Sequence, residues 1–304
     1  MSKNYGLPYM GSKNRIAKEL ITEIIWNEPN AQIFIDLFAG GCAMAHTALL
    51  SGKFKKVIAN DINAMPTLFK DAIMGKYRNE TRWISRDEFK KLKDTDMYIK
   101  SVWSFGNNGN SYLYGEHLEP YKKAYHYAKV FADFSLFNEF APYIEKENGG
   151  NLRKYIKDNY ERIKKDYSKW LLIDIKYSSR SLQSLESLQS LQRLERLENL
   201  SNILEISQGS YKDFKLPKAD ECVIYCDIPY KGTQTYNHDG EKLDFDYEAF
   251  YNWVRDKAKD GYKIYISEYQ MPSDFKEILA IDTSSILNDK SPKKVKEKLF
   301  KYEN

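Results

Sequence analysis

Cysteine and histidine are scarce in this chain: three and four residues of 304. Cys42, Cys222 and Cys226 are odd in number and lack C-x-x-C spacing, which argues against a disulfide framework or a cysteine zinc site and fits a reducing compartment. The scattered histidines add no ligand cluster, so no metal is expected. Long apolar runs are missing too. None reaches the roughly 18 residues of a membrane span, and the start, Met1-Ser2-Lys3-Asn4-Tyr5, has no apolar signal region, so no membrane is expected and a cytoplasmic location is. Nor is there a strong charge of either sign. With a formal net charge of +4, any polyanionic partner has to be met by a local patch.

What is present suffices for a substantial core, with 42% hydrophobic and 14% aromatic residues. Ile16, Leu20, Ile21, Ile24 and Ile25 recur at helical spacing and stop before Pro29. Ile33 to Phe38 reads as a buried strand, Ala39-Gly40-Gly41 as a turn, Cys42 to Leu50 as a helix and Val57 to Asp61 as a second strand. Cys222 to Asp227 and Lys263 to Ser267 return to strand character around a helix face of Tyr247, Phe250, Tyr251, Val254 and Ala258. From Ile281 to Phe300 the pattern predicts two strands joined by a basic loop with Lys290, Lys293 and Lys294. The expected fold is α/β, a Rossmann-like, doubly wound, mostly parallel sheet closed by a C-terminal antiparallel hairpin.

Residues 1–75 and 205–304 are assigned to this domain, and 76–180 to an inserted, mainly helical subdomain with aromatic residues among lysines and arginines. Residues 181–204 form a low-complexity insertion with leucine at every third position from Leu182 to Leu200. On an α-helix such leucines slip by about 60° each, which excludes a simple amphipathic α-helix. The tract reads as a surface insertion, with a partner-binding or bridging element as the alternative.

Two constellations carry chemistry. Asp227-Ile228-Pro229-Tyr230 ends an apolar strand with an acid, a proline-restrained turn and an aromatic, which offers two acceptors and a stacking face to a flat, extruded base. Asp36-Leu37-Phe38-Ala39-Gly40-Gly41 stands at the carboxyl end of another strand, with glycines that permit close approach of a ligand. Asp61, 25 residues after Asp36, suits ribose hydroxyls, while the lack of GxGxxG spacing disfavours a dinucleotide. A nucleoside-containing ligand without a pyrophosphate fits better, and S-adenosylmethionine is the common one. Cys226 precedes the acid inside an apolar strand and reads as a core thiol rather than a nucleophile.

Tyr9-Met10-Gly11-Ser12-Lys13, Phe34 to Gly41, Asn60-Asp61-Ile62-Asn63 and Asp227 to Tyr230 together resemble, in order, the motifs of the Dam-type N6-adenine DNA methyltransferases, with bacteriophage members most alike. The resemblance covers residues 5–75 and 205–304. It implies transfer of a methyl group from S-adenosyl-L-methionine to the amine of a flipped adenine in double-stranded DNA, with S-adenosyl-L-homocysteine as product. It gives residues 76–180 the role of target recognition, and places the protein in a bacterial or phage-infected cytoplasm as a monomer, or a dimer on DNA, in a restriction–modification setting. Tyr9, Gly11 and Lys13 would meet the methionine end of the cofactor; Asp36, Phe38, Ala39, Gly40 and Gly41 would form its turn; Asp61 would hold the ribose. Tyr211 would stack on the cofactor's adenine, although the acid usual before that aromatic is Ser210 here. Most members carry proline where this chain has Ile228, but the group used there is a backbone carbonyl. The DNA-contact candidates are Lys231, Thr233, Gln234 and Tyr236, Asn107 and Asn108 of the 104–110 loop, and Lys293 and Lys294. A methyltransferase for protein glutamine and a catalytically silent DNA-binding module remain as alternatives.

Overall fold

The computed structural model describes residues 5–9, 11–116, 118–131, 133, 135–137, 182–230, 236–238, 241–243, 245–285 and 293–303. The chain divides into two compact units, Met1–Lys76 with Leu191–Asn304, and Tyr77–Ser190. A 3₁₀ turn, Lys13–Arg15, leads into α1 (Ala17–Asn27), whose Leu20, Ile21 and Ile24 are buried as their spacing requires. Then follow β1 (Ile33–Asp36), α2 (Ala43–Ser51), β2 (Lys56–Asp61) and α3 (Met65–Ile73), which opens with Pro66 where a missing N–H costs nothing. The second unit holds α4 (Arg86–Leu92), α5 (Met97–Val102), α6 (Glu119–Phe131) and most of α7 (Gln183–Gln192). Back in the first unit come β3 (Leu204–Gln208), β4 (Cys222–Asp227), the short pair β5 (Tyr236–His238) and β6 (Glu241–Leu243), α8 (Tyr247–Lys259), β7 (Lys263–Glu268), β8 (Phe275–Ser285) and β9 (Lys293–Tyr302).

Seven of these strands form one sheet in the order β3-β2-β1-β4-β7-β9-β8. The first five are parallel, while β9 runs antiparallel to both β7 and β8. This is the doubly wound sheet with a C-terminal hairpin that the strand pattern predicted. Strands β1, β4 and β7 are buried along nearly their whole length, which is why they read as continuous apolar runs. Register sets Asp36 beside Tyr225, so the acids that end β1 and β4 emerge at the same edge. β1 stops at Asp36, two residues short of the expected end, because Leu37 onward turns into the loop. The edge strand β3 was not anticipated, and Lys293 and Lys294 open β9 rather than sit in a loop.

The leucine tract also departs from expectation. After α7 it continues as a 3₁₀-helix, Arg193–Ile203, in which three residues complete a turn and every third side chain eclipses the last. Period three, which disperses leucines around an α-helix, here aligns them. Leu191, Leu194 and Leu197 are each at most 2% exposed, so this part of the tract is core and not a solvated insertion. Lys70 on α3 donates to the Leu204 carbonyl (3.0 Å) and fastens the tract's end to the sheet.

In the second unit Trp83 packs edge-on to Trp103 and flat against Tyr114, with ring centroids 5.1 and 5.7 Å apart. Ser85 and Glu88 close a reciprocal cap at the start of α4. The 104–110 loop is a tight local structure. Gly106, Asn107 and Gly109 take left-handed φ, the Asn107 amide donates to the Ser101 carbonyl (2.8 Å), and the Asn108 side-chain oxygen accepts from Asn110 N–H (2.9 Å).

Candidate active site

The turn after β1 is held from three sides. Asp36, 1% exposed, accepts from Ala45 N–H (3.0 Å) and so ties the first turn of α2 to the strand. Asp61 at the end of β2 accepts from Gly40 N–H (2.7 Å) with one oxygen and from Asn63 N–H (3.1 Å) with the other. The Asn60 amide reaches the Leu37 and Gly209 carbonyls (3.0 and 3.1 Å), joining the turn to the end of β3. Over this turn lies the segment from Tyr5 to Tyr9. Leu7 N–H donates to the Gly41 carbonyl (2.7 Å), and Gly6 N–H to His46 Nδ1 (2.8 Å). Accepting at Nδ1 places the imidazole proton on Nε2, and burial lowers the ring's pKa to about 4, so His46 is neutral. A Cβ on Gly40 would come within 2.9 Å of the Tyr9 ring, and one on Gly41 within 2.6 Å of Tyr9 Cβ. The missing Cβ atoms thus admit the chain's own Tyr9, where the sequence suggested room for a ligand.

Beyond this turn the charges converge. Lys13, 8% exposed, sets its ammonium 2.9 Å from Asp227 Oδ1 and 3.8 Å from Glu297 Oε2. The same ammonium lies 4.4 Å above the centre of the Tyr230 ring. Tyr230 donates its hydroxyl to Glu297 Oε2 (2.6 Å) and meets Tyr269 edge-on, 4.6 Å between centroids. Burial raises the Asp227 carboxyl above its usual range, with the Glu297 charge adding to the effect and the Lys13 ammonium opposing it. Asp36 is pushed well up, chiefly by burial, against the pull of the Ala45 N–H. A small cleft, partly open to solvent, is lined by Tyr9, Gly11, Ser12, Lys13, Asp36, Phe38, Ala39, Gly40, Gly41, Ala43, Met44, Tyr225 and Asp227.

The model of the D12 class N6 adenine-specific DNA methyltransferases matches residues 9–290. The chain belongs to this family. Among solved structures, a Haemophilus influenzae protein described as a methylase is similar at 11% identity with a TM-score of 0.33, covering 97% of this chain and 91% of that one. So loose a superposition supports no residue correspondence. No curated protein matches.

In this methyltransferase, nine of the residues singled out from sequence share the cleft: Tyr9, Gly11, Lys13, Asp36, Phe38, Ala39, Gly40, Gly41 and Asp227. Asp61 backs the turn instead of lining the cleft. Tyr211 lies behind Phe38 (centroids 5.4 Å apart), packed against Phe250 and Trp253. Ile228 is buried, and Tyr230 flanks the cleft through its contact with Lys13. Asn107 and Asn108 belong to the other unit and use their side chains to build their own loop. Lys231, Thr233 and Gln234 lie outside the described residues, while Tyr236, Lys293 and Lys294 are placed as strand backbone only.

Sequence reading missed Ser12, Tyr225 and Glu297. The signal for Glu297 was faint: it is the single acid in Lys293-Lys294-Val295-Lys296-Glu297-Lys298, on the same strand face as the buried Leu299. Cys226 is fully buried and its thiol pKa is driven up by burial and by the neighbouring Asp36 and Asp227, so it is no nucleophile. Among the described residues no three His, Cys, Asp or Glu side chains gather to hold a metal, and no helix is long and apolar enough to cross a membrane.

Proposed function

We propose that this methyltransferase moves the methyl group of S-adenosylmethionine to the N6 amine of an adenine extruded from double-stranded DNA. One observation carries the reading: the acids that end two neighbouring parallel strands, Asp36 and Asp227, line one cleft with the glycine turn between β1 and α2. The wall suits the cofactor. The buried Ser12 hydroxyl in it has no hydrogen-bond partner among the described residues and is free to bond a polar ligand group. Asp61, fixed at the end of β2 by the Gly40 and Asn63 N–H groups, is the acid assigned to the ribose hydroxyls. Phe38 offers an apolar surface to a purine, with Tyr211 buttressing it from behind.

When bound, the cofactor supplies a methyl group on a positively charged sulfur. The rest falls to the chain. Asp227 and the Ile228 carbonyl accept the two amine hydrogens, turn the nitrogen lone pair out of conjugation with the ring, and stabilise the positive charge that grows on nitrogen. Tyr230 offers a face for the base, a contact worth about 1–3 kcal/mol by analogy with single-strand binders. After transfer the nitrogen is acidic and gives up its proton with Asp227 as the nearest acceptor, so orientation carries most of the work. Lys231, Thr233, Gln234 and Tyr236 follow the acceptor tetrapeptide directly and, with Lys293 and Lys294, are the proposed contacts to the DNA.

The test is expression in a methylation-deficient bacterium, with modification mapping of its genome and Asp227→Ala alongside. Methyladenine at one short motif is expected for the parent and none for the variant. An unmodified genome with the parent, or persistent methyladenine with Asp227→Ala, overturns the reading.

A further inference from the structure

The Lys13 ammonium stands where the substrate amine has to go. It is 2.9 Å from Asp227 Oδ1 and covers one face of Tyr230, so in this arrangement the cation stands against the carboxylate and blocks the approach of another donor. At 8% exposure the ammonium has little water to retreat into, so it cannot be left unpaired there without a large desolvation penalty. It needs another anion close by. Glu297, on β9 of the antiparallel hairpin, has its Oε2 3.8 Å away, about 1 Å beyond a normal charge-assisted bond. That oxygen already takes the Tyr230 hydroxyl at 2.6 Å, which fixes the carboxylate in place.

We propose that Glu297 is a positioning residue that draws Lys13 off Asp227 when the adenine amine arrives. The proposal rests on the amine-transfer reading above. A small rotation at the end of the lysine closes the gap to Glu297 and frees Asp227 Oδ1 for the amine. The exchange also settles the electrostatics. A lysine left uncompensated beside the amine would repel the positive charge growing on nitrogen, whereas a Lys13–Glu297 pair is neutral and leaves the Asp227 charge facing the amine. The other ionisable groups around the pair are Asp36, Tyr225 and Tyr269. None of them is a cation that could replace Lys13.

A double-mutant cycle on the full chain tests this, with methyl transfer to DNA measured at saturating cofactor and cofactor affinity measured by calorimetry. Glu297→Gln is expected to lower kcat by about 100-fold and to leave cofactor affinity within about twofold of the parent, because Lys13 stays locked on Asp227. The acid limb of its kcat–pH profile moves to lower pH, since a negative neighbour of Asp227 is gone and the lysine remains; a loss of packing would reduce the rate without moving the limb. In a Lys13→Met background the same change has little further effect. Should Glu297→Gln not fold, Glu297→Asp keeps the charge but withdraws it from Lys13, and a drop in kcat of about tenfold is expected with cofactor affinity retained. Parental kcat in Glu297→Gln, an unmoved acid limb, or an equal loss in the Lys13→Met background overturns the role of Glu297 alone. A parent that transfers no methyl group to DNA overturns the activity reading and this proposal with it.

Discussion

Replacing Leu197 by alanine tests whether the leucine triplets are core. Leu197 is 1% exposed in the 3₁₀-helix Arg193–Ile203, two turns after the fully buried Leu191. Truncating a leucine so enclosed forfeits its transfer free energy and leaves a cavity, a loss of about 3–5 kcal/mol at well-packed sites. With an unfolding entropy of about 2 cal/mol/K per residue, the low end of that range lowers Tm by roughly 5–8 °C, the larger figure applying if the first unit unfolds on its own. Leu194→Ala is expected to cost a similar amount, because side chains three apart share one face of a 3₁₀-helix. Asn199→Ala, at an exposed position of the same helix, is the control and is expected to stay within about 0.5 kcal/mol of the parent. The assay is thermal and urea unfolding followed by circular dichroism, with urea slopes compared so that a change in the unfolded state is recognised. Equal stabilities for Leu197→Ala and Asn199→Ala would refute the core assignment, and a large cost at Leu197 with none at Leu194 would refute the shared face.

Asp36→Asn keeps an acceptor for Ala45 N–H and removes a carboxyl whose pKa burial drives well above its usual value. A carboxyl raised in the folded state contributes stability that is complete below an unfolded pKa of about 3.9 and is lost as pH rises through the folded value. The variant is therefore expected to melt no lower than the parent at neutral pH, with its advantage shrinking toward acid, and to lose cofactor binding by calorimetry; an offset independent of pH would refute the argument. Gly41→Ala sets a Cβ 2.6 Å from Tyr9 Cβ and 3.0 Å from the Leu7 carbonyl, so the covering segment must shift. A loss of about 1–3 kcal/mol in thermal unfolding and weaker cofactor binding are expected, whereas Gly209→Ala, whose Cβ meets nothing within 4 Å, leaves both within error.

The parts of the fold legible from sequence were those in which one signal sufficed. Cys222–Asp227 is apolar on both faces and bounded by acids, and it is a strand over those same residues. Asp36 and the turn residues from Phe38 to Gly41 stand between a strand and a helix, and they line the cleft. Where the signal was conditional, reading failed. Leucine at every third position is uninformative until the helix type is known, and tertiary packing chose the tighter helix. The partner of Lys13 was hidden for another reason: Asp227 is 214 residues away, and nothing local in sequence announces that the turn before α1 meets the end of β4. Glu297 lies in a basic stretch whose hairpin pairing, not its composition, turns the acid toward Tyr230.

That dependence on sheet order accounts for how the two acids survive such a large interruption between them. From β1 the chain moves outward to β2, and β4 then returns on the opposite side of β1, so the connections after β1 and β4 diverge and leave a crevice at the strands' carboxyl ends. The second unit is inserted between α3 and β3, and β3 is the edge strand, separated from β1 by β2. An insertion entering at an edge leaves the pairing of β1 with β4 untouched, since that register is fixed by Ile33 to Asp36 against Cys222 to Tyr225 and by nothing in the insert. The last 3₁₀ turns of the leucine tract then have a mechanical task. Packed through Leu194 and Leu197, they bring the chain back to β3 at a fixed point on the sheet, from which Gly209 accepts the Asn60 amide behind the glycine turn. A destabilised tract should accordingly loosen the glycine turn, the proposed cofactor site, before it disturbs Asp227, which is anchored from β4. Leu197→Ala is thus expected to weaken cofactor binding more than it lowers kcat at saturating cofactor, and the reverse order in a kinetic titration would disprove the connection.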